Sequence, residues 1–204
     1  RPEAIQISIP TEAGVSLTMD LIRVDLMSEG FKVSTSDGTN EEYVPGVFYQ
    51  GVIRGSEENS LVALSFFDQE IIGMFSIDQD NFVLQPSKDF PGKLILYNDK
   101  DLIKYSEMEC LTDHLESVVR DPTPSTEMAA GDCIRVYIEC DYALQQNKGG
   151  VTNTVNWITS VYNNVKTLYT NESINTTVSE VFVWTTQDSY SKTNSVTALN
   201  QFKT

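Results

Sequence analysis

The sequence predicts an α+β protein, with an antiparallel β-rich N-terminal part followed by an incomplete α/β unit. Three observations carry this. Apolar residues alternate with polar ones over most of the first hundred positions. A three- and four-residue apolar repeat follows Gly149-Gly150. A charged, proline-bearing stretch separates the two patterns.

The N-terminal strands come first. Ile5, Ile7 and Ile9 alternate with polar neighbours, and Val15, Leu17, Met19 and Leu21 alternate with Ser16, Thr18 and Asp20. A period of two places every second side chain on one face, as a half-buried strand requires. Leu61–Phe67, Ile71–Ile77 and Phe82–Leu84 continue the pattern, separated by the turn-prone Asp68-Gln69 and Asp78-Gln-Asp-Asn81. Short strands joined by tight turns describe an antiparallel meander. No helix is expected before about residue 100. These strands form a domain over 1–116, and a linker over 117–131 contains Asp121-Pro-Thr-Pro-Ser-Thr126, whose prolines favour exposed, extended backbone.

Residues 132–204 follow other rules. Ile134, Val136 and Ile138 alternate with Arg135, Tyr137 and Glu139, giving a strand. Val151, Val155, Ile158, Val161, Val165 and Leu168 then recur on one face of a helix over 151–170. Val181-Phe-Val-Trp184 is a continuous apolar run, expected as a strand buried on both faces. Strand, helix, strand is a βαβ unit with parallel strands. By itself it has unpartnered edges and an uncovered face.

Charge divides the chain at the same place. Residues 1–130 carry 23 acidic and 9 basic side chains, whereas residues 131–204 carry 6 and 5. A first part so acidic repels a phosphate backbone, which excludes nucleic acid as its partner. No apolar run approaches the roughly 18–20 residues that a membrane-spanning helix needs. With 40% hydrophobic residues the composition is too apolar for a disordered chain.

No catalytic constellation is visible in these residues. His114 is the one histidine, so a helical His pair for zinc cannot form, and no serine sits in a strand–turn–helix elbow to use it. Lys148-Gly-Gly150 lacks the spacing of a phosphate-binding loop. Three cysteines, Cys110, Cys133 and Cys140, cannot all pair within the chain.

Two stretches carry a resemblance. The first runs through Phe48-Tyr-Gln-Gly-Val-Ile-Arg-Gly55, Ser60-Leu-Val-Ala-Leu-Ser65, Ile72-Gly-Met-Phe75 and Asn81-Phe-Val-Leu-Gln-Pro86. It resembles the propeptide of reprolysin-like (adamalysin-type) zinc metallopeptidases. The second comprises Arg135-Val-Tyr-Ile-Glu-Cys-Asp-Tyr142, the helix 151–170 and Val178-Ser-Glu-Val-Phe-Val-Trp-Thr185. It is similar to the first strand, first helix and second strand of that family's catalytic domain, particularly in secreted bacterial members.

The resemblance implies a secreted zymogen whose N-terminal part inhibits and helps to fold a zinc-dependent endopeptidase. The family's His-Glu-x-x-His-x-x-Gly-x-x-His motif is absent, so the zinc site is expected downstream of Thr204 and this chain is expected to be inactive. The implied partners are the remainder of its own catalytic domain and protein or peptide substrates. Cys110 lies where the family's switch cysteine donates its thiolate to zinc, although Leu111 replaces the usual glycine. Glu139 matches a first-strand glutamate that helps to bind calcium in some members. The alternative is of another class: a non-catalytic, acidic β-rich adhesion or binding module joined to an unrelated α/β domain.

Overall fold

A computed structural model describes residues 1–11, 14, 16–102 and 133–202 of the 204-residue chain. The linker expected over 117–131, together with Cys110 and His114, lies outside the described residues. The described residues form two sheets and three helices, a mixed α/β architecture whose larger part is antiparallel.

Seven strands make the larger sheet. They are β1 (Ala4–Pro10), β2 (Ser16–Val24), β5 (Val47–Ile53), β6 (Ser60–Phe66), β7 (Ile71–Ile77), β8 (Asp80–Pro86) and β9 (Leu94–Asn98), antiparallel and adjacent in that order. From β5 onward this is the expected meander. The turn between β7 and β8 is two residues long, with Ile77 opposite Asp80 and both Asp78 (φ 50°) and Gln79 (φ 72°) in the left-handed region. That conformation matches the right-handed twist of the flanking strands.

One face of this sheet buries Met19, Leu21, Tyr49, Ile53, Val62, Leu64 and Phe75, with Ile5, Ile7 and Ile9 packed against them. Fully burying one such side chain contributes roughly 1.5–3 kcal/mol. Phe75 and Phe82 stack at 5.0 Å. The sheet's two ends approach each other across an apolar cavity of about 340 Å³, where Ile7 and Ile9 face Leu94 and Leu96.

The smaller sheet draws its strands from both ends of the chain. Its order is β10 (Ile134–Cys140), β11 (Thr176–Val183), β3 (Met27–Thr35) and β4 (Asn40–Glu41). The pair β10 and β11 is parallel, joined through α1 (Tyr142–Lys148) and α2 (Val151–Asn171), so the βαβ reading holds. Asp141 caps α1 through its side chain, and Gly149, at φ 78°, ends it in the left-handed conformation that glycine adopts without strain.

Two expectations are corrected. The edge of β11 away from β10 is not unpartnered, because β3 pairs with it in parallel. Nor is β11 buried on both faces: Val178, Val181 and Val183 are buried against α2, while Phe182 on the other side is only half-buried. The physical reason is that one helix covers one face. Helix α3 (Ser195–Phe202), which no apolar repeat announces, follows β11. No helix among the described residues is long and apolar enough to cross a membrane.

Candidate functional site: the seam under helix α2 and the end of strand β10

Helix α2 buries two different stripes. Val155 and Tyr162, with Ile158 and Val165 beside them, join Leu26, Val33, Phe48, Cys140, Val178, Val181 and Val183 in one apolar cluster. This cluster unites residues from before and after the undescribed stretch. The stripe turned toward β5, β6 and β7 is polar instead: Asn156, Ser160, Asn163 and Thr167 are all buried.

Every amide in that seam is satisfied. Asn163 Nδ2 donates to the Leu64 carbonyl at 3.2 Å and reaches Ser65 Oγ at 3.3 Å. Gln50 Nε2 donates to both Oδ1 and the main-chain oxygen of Asn163, each at 3.0 Å. Asn156 donates to Glu70 Oε1 at 2.8 Å and accepts from Tyr43 OH at 2.9 Å. Burial pushes the Tyr43 phenol up to about 12, so it stays a donor at every physiological pH. The hydroxyls of Thr154, Thr159 and Thr167 turn back to carbonyls four residues earlier on the helix. That is how a threonine-rich helix hides its hydroxyls in an interface.

Strand β3 fastens the seam from the other side. Val178 N donates to the Leu26 carbonyl and Ser36 N to the Val183 carbonyl. Glu180 on β11 pairs with Lys32 at 3.0 Å and accepts from Ser34 Oγ. Burial alone would raise the Glu180 carboxyl, yet Ser34 and Lys32 together hold it below its ordinary value. Beyond β3 the chain turns on Asp37, which accepts from Thr35 Oγ1 and from both the amide and hydroxyl of Thr39.

The second cluster lies where β10 ends. Glu139 Oε1 accepts from Trp184 Nε1 at 2.6 Å and from Tyr190 OH at 2.5 Å. The Glu139 bond, followed by burial, pushes Tyr190 up to about 12. Tyr137 is also raised, by burial first and the Glu139 charge second. Asp188, its side chain wholly buried, accepts from the amides of Tyr142 and Tyr190 and from Lys192, which also reaches Asp141 at 2.9 Å. These contacts tie the segment after β11 to the start of α1.

The predicted site residues are placed as follows. Glu139, the calcium candidate, serves as an acceptor for an indole and a phenol. No group of three or more His, Cys, Asp or Glu side chains able to hold a metal ion occurs among the described residues. Cys133 is exposed and Cys140 buried, both free. Burial, then the charges of Asp141 and Glu139, pushes the Cys140 thiol up to about 12, so it is no nucleophile. Cys110, the proposed zinc-binding switch, lies outside the described residues.

The residues that sequence reasoning missed are Gln50, Asn156, Asn163, Asp188 and Lys192. A signal existed for two of them. Asn156, Ser160, Asn163 and Thr167 recur at three- and four-residue steps, a polar stripe beside the apolar one. No protein-family model matches the chain, and no curated protein matches it.

Proposed function

We propose that residues 1–116 are the pro-segment of a secreted zinc endopeptidase zymogen of the reprolysin-like kind, and that residues 132–204 open its catalytic domain. In this reading the pro-segment folds and restrains the α/β part, and hydrolysis of peptide bonds belongs to residues outside this chain. The observation that carries it is the loan of β3. A strand from the N-terminal part completes the parallel sheet of the C-terminal part, and the N-terminal sheet seats α2 through polar contacts beside the shared apolar cluster that includes Phe48. The polar part of this interface can be opened to water at less cost than the apolar part, because its groups find new hydrogen bonds in solvent. That suits a segment that must first hold its partner and later leave it. The motif resemblance supplies the chemistry, and the family's calcium and Cys110 roles remain part of the proposal.

The test uses the complete gene product that contains this chain. A fluorogenic peptide should be left intact before cleavage within the linker over residues 117–131 and hydrolysed after it. The activity should disappear with a zinc chelator and return with zinc. Cys110→Ser should raise activity before cleavage, and unchanged latency would remove the switch role. A gene product without a His-Glu-x-x-His segment, or without zinc-dependent hydrolysis, would leave the acidic binding module as the better reading.

A further inference from the structure

The apolar face of the seven-stranded sheet leaves a space unfilled. Register sets Leu64, Gly73, Leu84 and Leu96 opposite one another in a single row across β6, β7, β8 and β9. Residues directly opposed share a face. Gly73 adds no side chain to the row, and Leu64 leans over it so far that its Cδ2 would collide with a Cβ there. Next to this row lies the cavity of about 340 Å³, walled by Ile7 and Ile9 of β1, Phe66 and Ile71 of the β6–β7 hairpin, and Leu94 and Leu96 of β9. Helix α2 lies on the other face of the sheet, where Ala63 and Met74 line a separate cleft with Val161 and Val165. The cavity is therefore no part of the seam.

Water is a poor occupant for it. An ordered water needs about two to four polar partners. Among the described residues no charged side chain lines the cavity, and the hydroxyl of Ser8 is already shared with Thr18 Oγ1 at 3.1 Å. Polar groups stand only at its opening. The Glu3 carbonyl accepts from Arg23 N on β2, and the Lys93 carbonyl from Ser87 N beyond β8. Main-chain groups alternate in direction along a strand, so Ser8, Leu94 and Leu96 turn theirs to the open edges of β1 and β9. Apolar walls with a few polar groups to fix orientation are what a small-molecule site requires.

We propose that this cavity binds a small neutral aliphatic molecule, such as an alcohol with a medium-length chain. Its hydrocarbon lies among the isoleucines and leucines, and its hydroxyl bonds to the open main-chain groups of β1 and β9. An engineered apolar cavity of about 150 Å³ takes up benzene, so about 340 Å³ accommodates roughly ten to twelve carbon atoms. A carboxylate would find no cation among the lining residues and would meet the field of a chain of net charge −15. The site belongs to the larger sheet alone and does not rest on the peptidase reading.

The probe is decanol, titrated into the whole 204-residue chain with isotope-labelled isoleucine and leucine methyl groups and followed by NMR. Saturable shifts are expected at Ile7, Ile9, Ile71 and Leu84, and none at Leu26 in the other apolar cluster. Hexanol should bind at least about tenfold more weakly, because each buried methylene is worth roughly a factor of four. Decanoate should also bind more weakly than decanol. Ile9→Trp, which fills the cavity, should weaken decanol binding at least about tenfold by removing the space for its chain. If Ile9→Trp lowers the melting temperature, the shift map and the chain-length comparison decide, because both leave the protein untouched. Shifts that do not saturate or that spread over both clusters overturn the proposal. So do equal affinities for hexanol and decanol, a decanoate tighter than decanol, or a folded Ile9→Trp variant that binds as wild type does.

Discussion

Gln50 and Asn163 meet across the seam through two hydrogen bonds of 3.0 Å, one to the Asn163 side chain and one to its main-chain oxygen. Asn163 is fully buried and Gln50 6% exposed, so neither amide can turn to water if its partner is lost. Asn163→Ala should therefore lower the unfolding free energy by about 2–3 kcal/mol, most of it from leaving Gln50 and the Leu64 carbonyl unpaired. Gln50→Ala should cost about 1–2 kcal/mol, and the double variant less than the sum, because the two share one interaction. Urea unfolding of the three variants measures the coupling, and strictly additive losses would show that the pair does not act as a unit.

Gly51 packs backbone against backbone. A Cβ at this position would lie 2.0 Å from the Asp20 carbonyl oxygen on β2, with Leu21 Cα at 3.0 Å. Main chain cannot swing aside as a side chain can. Gly51→Ala is expected to lower the melting temperature by about 4–12 °C, through a loss of roughly 2–3 kcal/mol from overpacking. Gly55→Ala is the contrast: no atom lies within 4 Å of its Cβ, and only its φ of 87° resists the change, so its loss should be near 1 kcal/mol. Equal melting temperatures for the two variants would show that the strands move apart freely.

The acid limb of stability should depend on Asp188. Burial by itself would raise its carboxyl, but Lys192 and the Tyr142 and Tyr190 amides outweigh burial and hold it below the ordinary value. A carboxyl depressed in the folded state stabilises the fold fully above the unfolded value of about 3.9 and loses that contribution as pH falls through the folded one. Asp37, held near 2 by the Thr35 hydroxyl and then by Thr39, follows the same sign. Stability should therefore fall between about pH 4 and pH 2. Asp188→Asn should cost about 1–3 kcal/mol at pH 7, because it removes the charge of a buried carboxylate bonded to two amides and to the half-exposed Lys192, and should flatten this limb. Melting temperatures taken from pH 7 to pH 2 test it. Parallel curves for variant and wild type would sink the assignment.

Much of this fold was legible in the sequence, and the exceptions have physical causes. Ile5, Ile7 and Ile9, or Val151 through Leu168, announce their elements because one face of each is apolar and its period is local. Strand β3 does not. Met27–Thr35 offers only Phe31 and Val33 as apolar markers beyond its first residue, and Gly30, at φ 75°, interrupts the pleat. Its partner Glu180 lies 146 residues from Ser34, so nothing nearby in the chain records the pairing. The polar seam was hidden for a related reason: Gln50 sits between Tyr49 and Gly51 as an ordinary strand residue until Asn163 is brought to it. Helix α1 was not expected either, although Asp141 and Gly149 carry its caps.

Lys166 is the least comfortable charge among the described residues. It is 8% exposed, donates to the Thr176 carbonyl and forms no ion pair there. Burial lowers its ammonium pKa, an effect only partly opposed by Cys133 and Asp25. A cation depressed in this way binds its proton more weakly in the folded state than in the unfolded one. Stability should then rise with pH through the interval that ends at the unfolded lysine value of about 10.4. Lys166→Met keeps the apolar stem on the buried side of α2 and removes the buried charge. It should raise stability at pH 7 by about 1 kcal/mol and abolish the alkaline rise, since replacing a buried charge by a well-packed apolar side chain is often neutral or favourable. Urea unfolding at pH 7 and pH 9.5 gives both quantities. A Lys166→Met variant weaker than wild type at both values would show that the bond to the Thr176 carbonyl outweighs the cost of burying the ammonium.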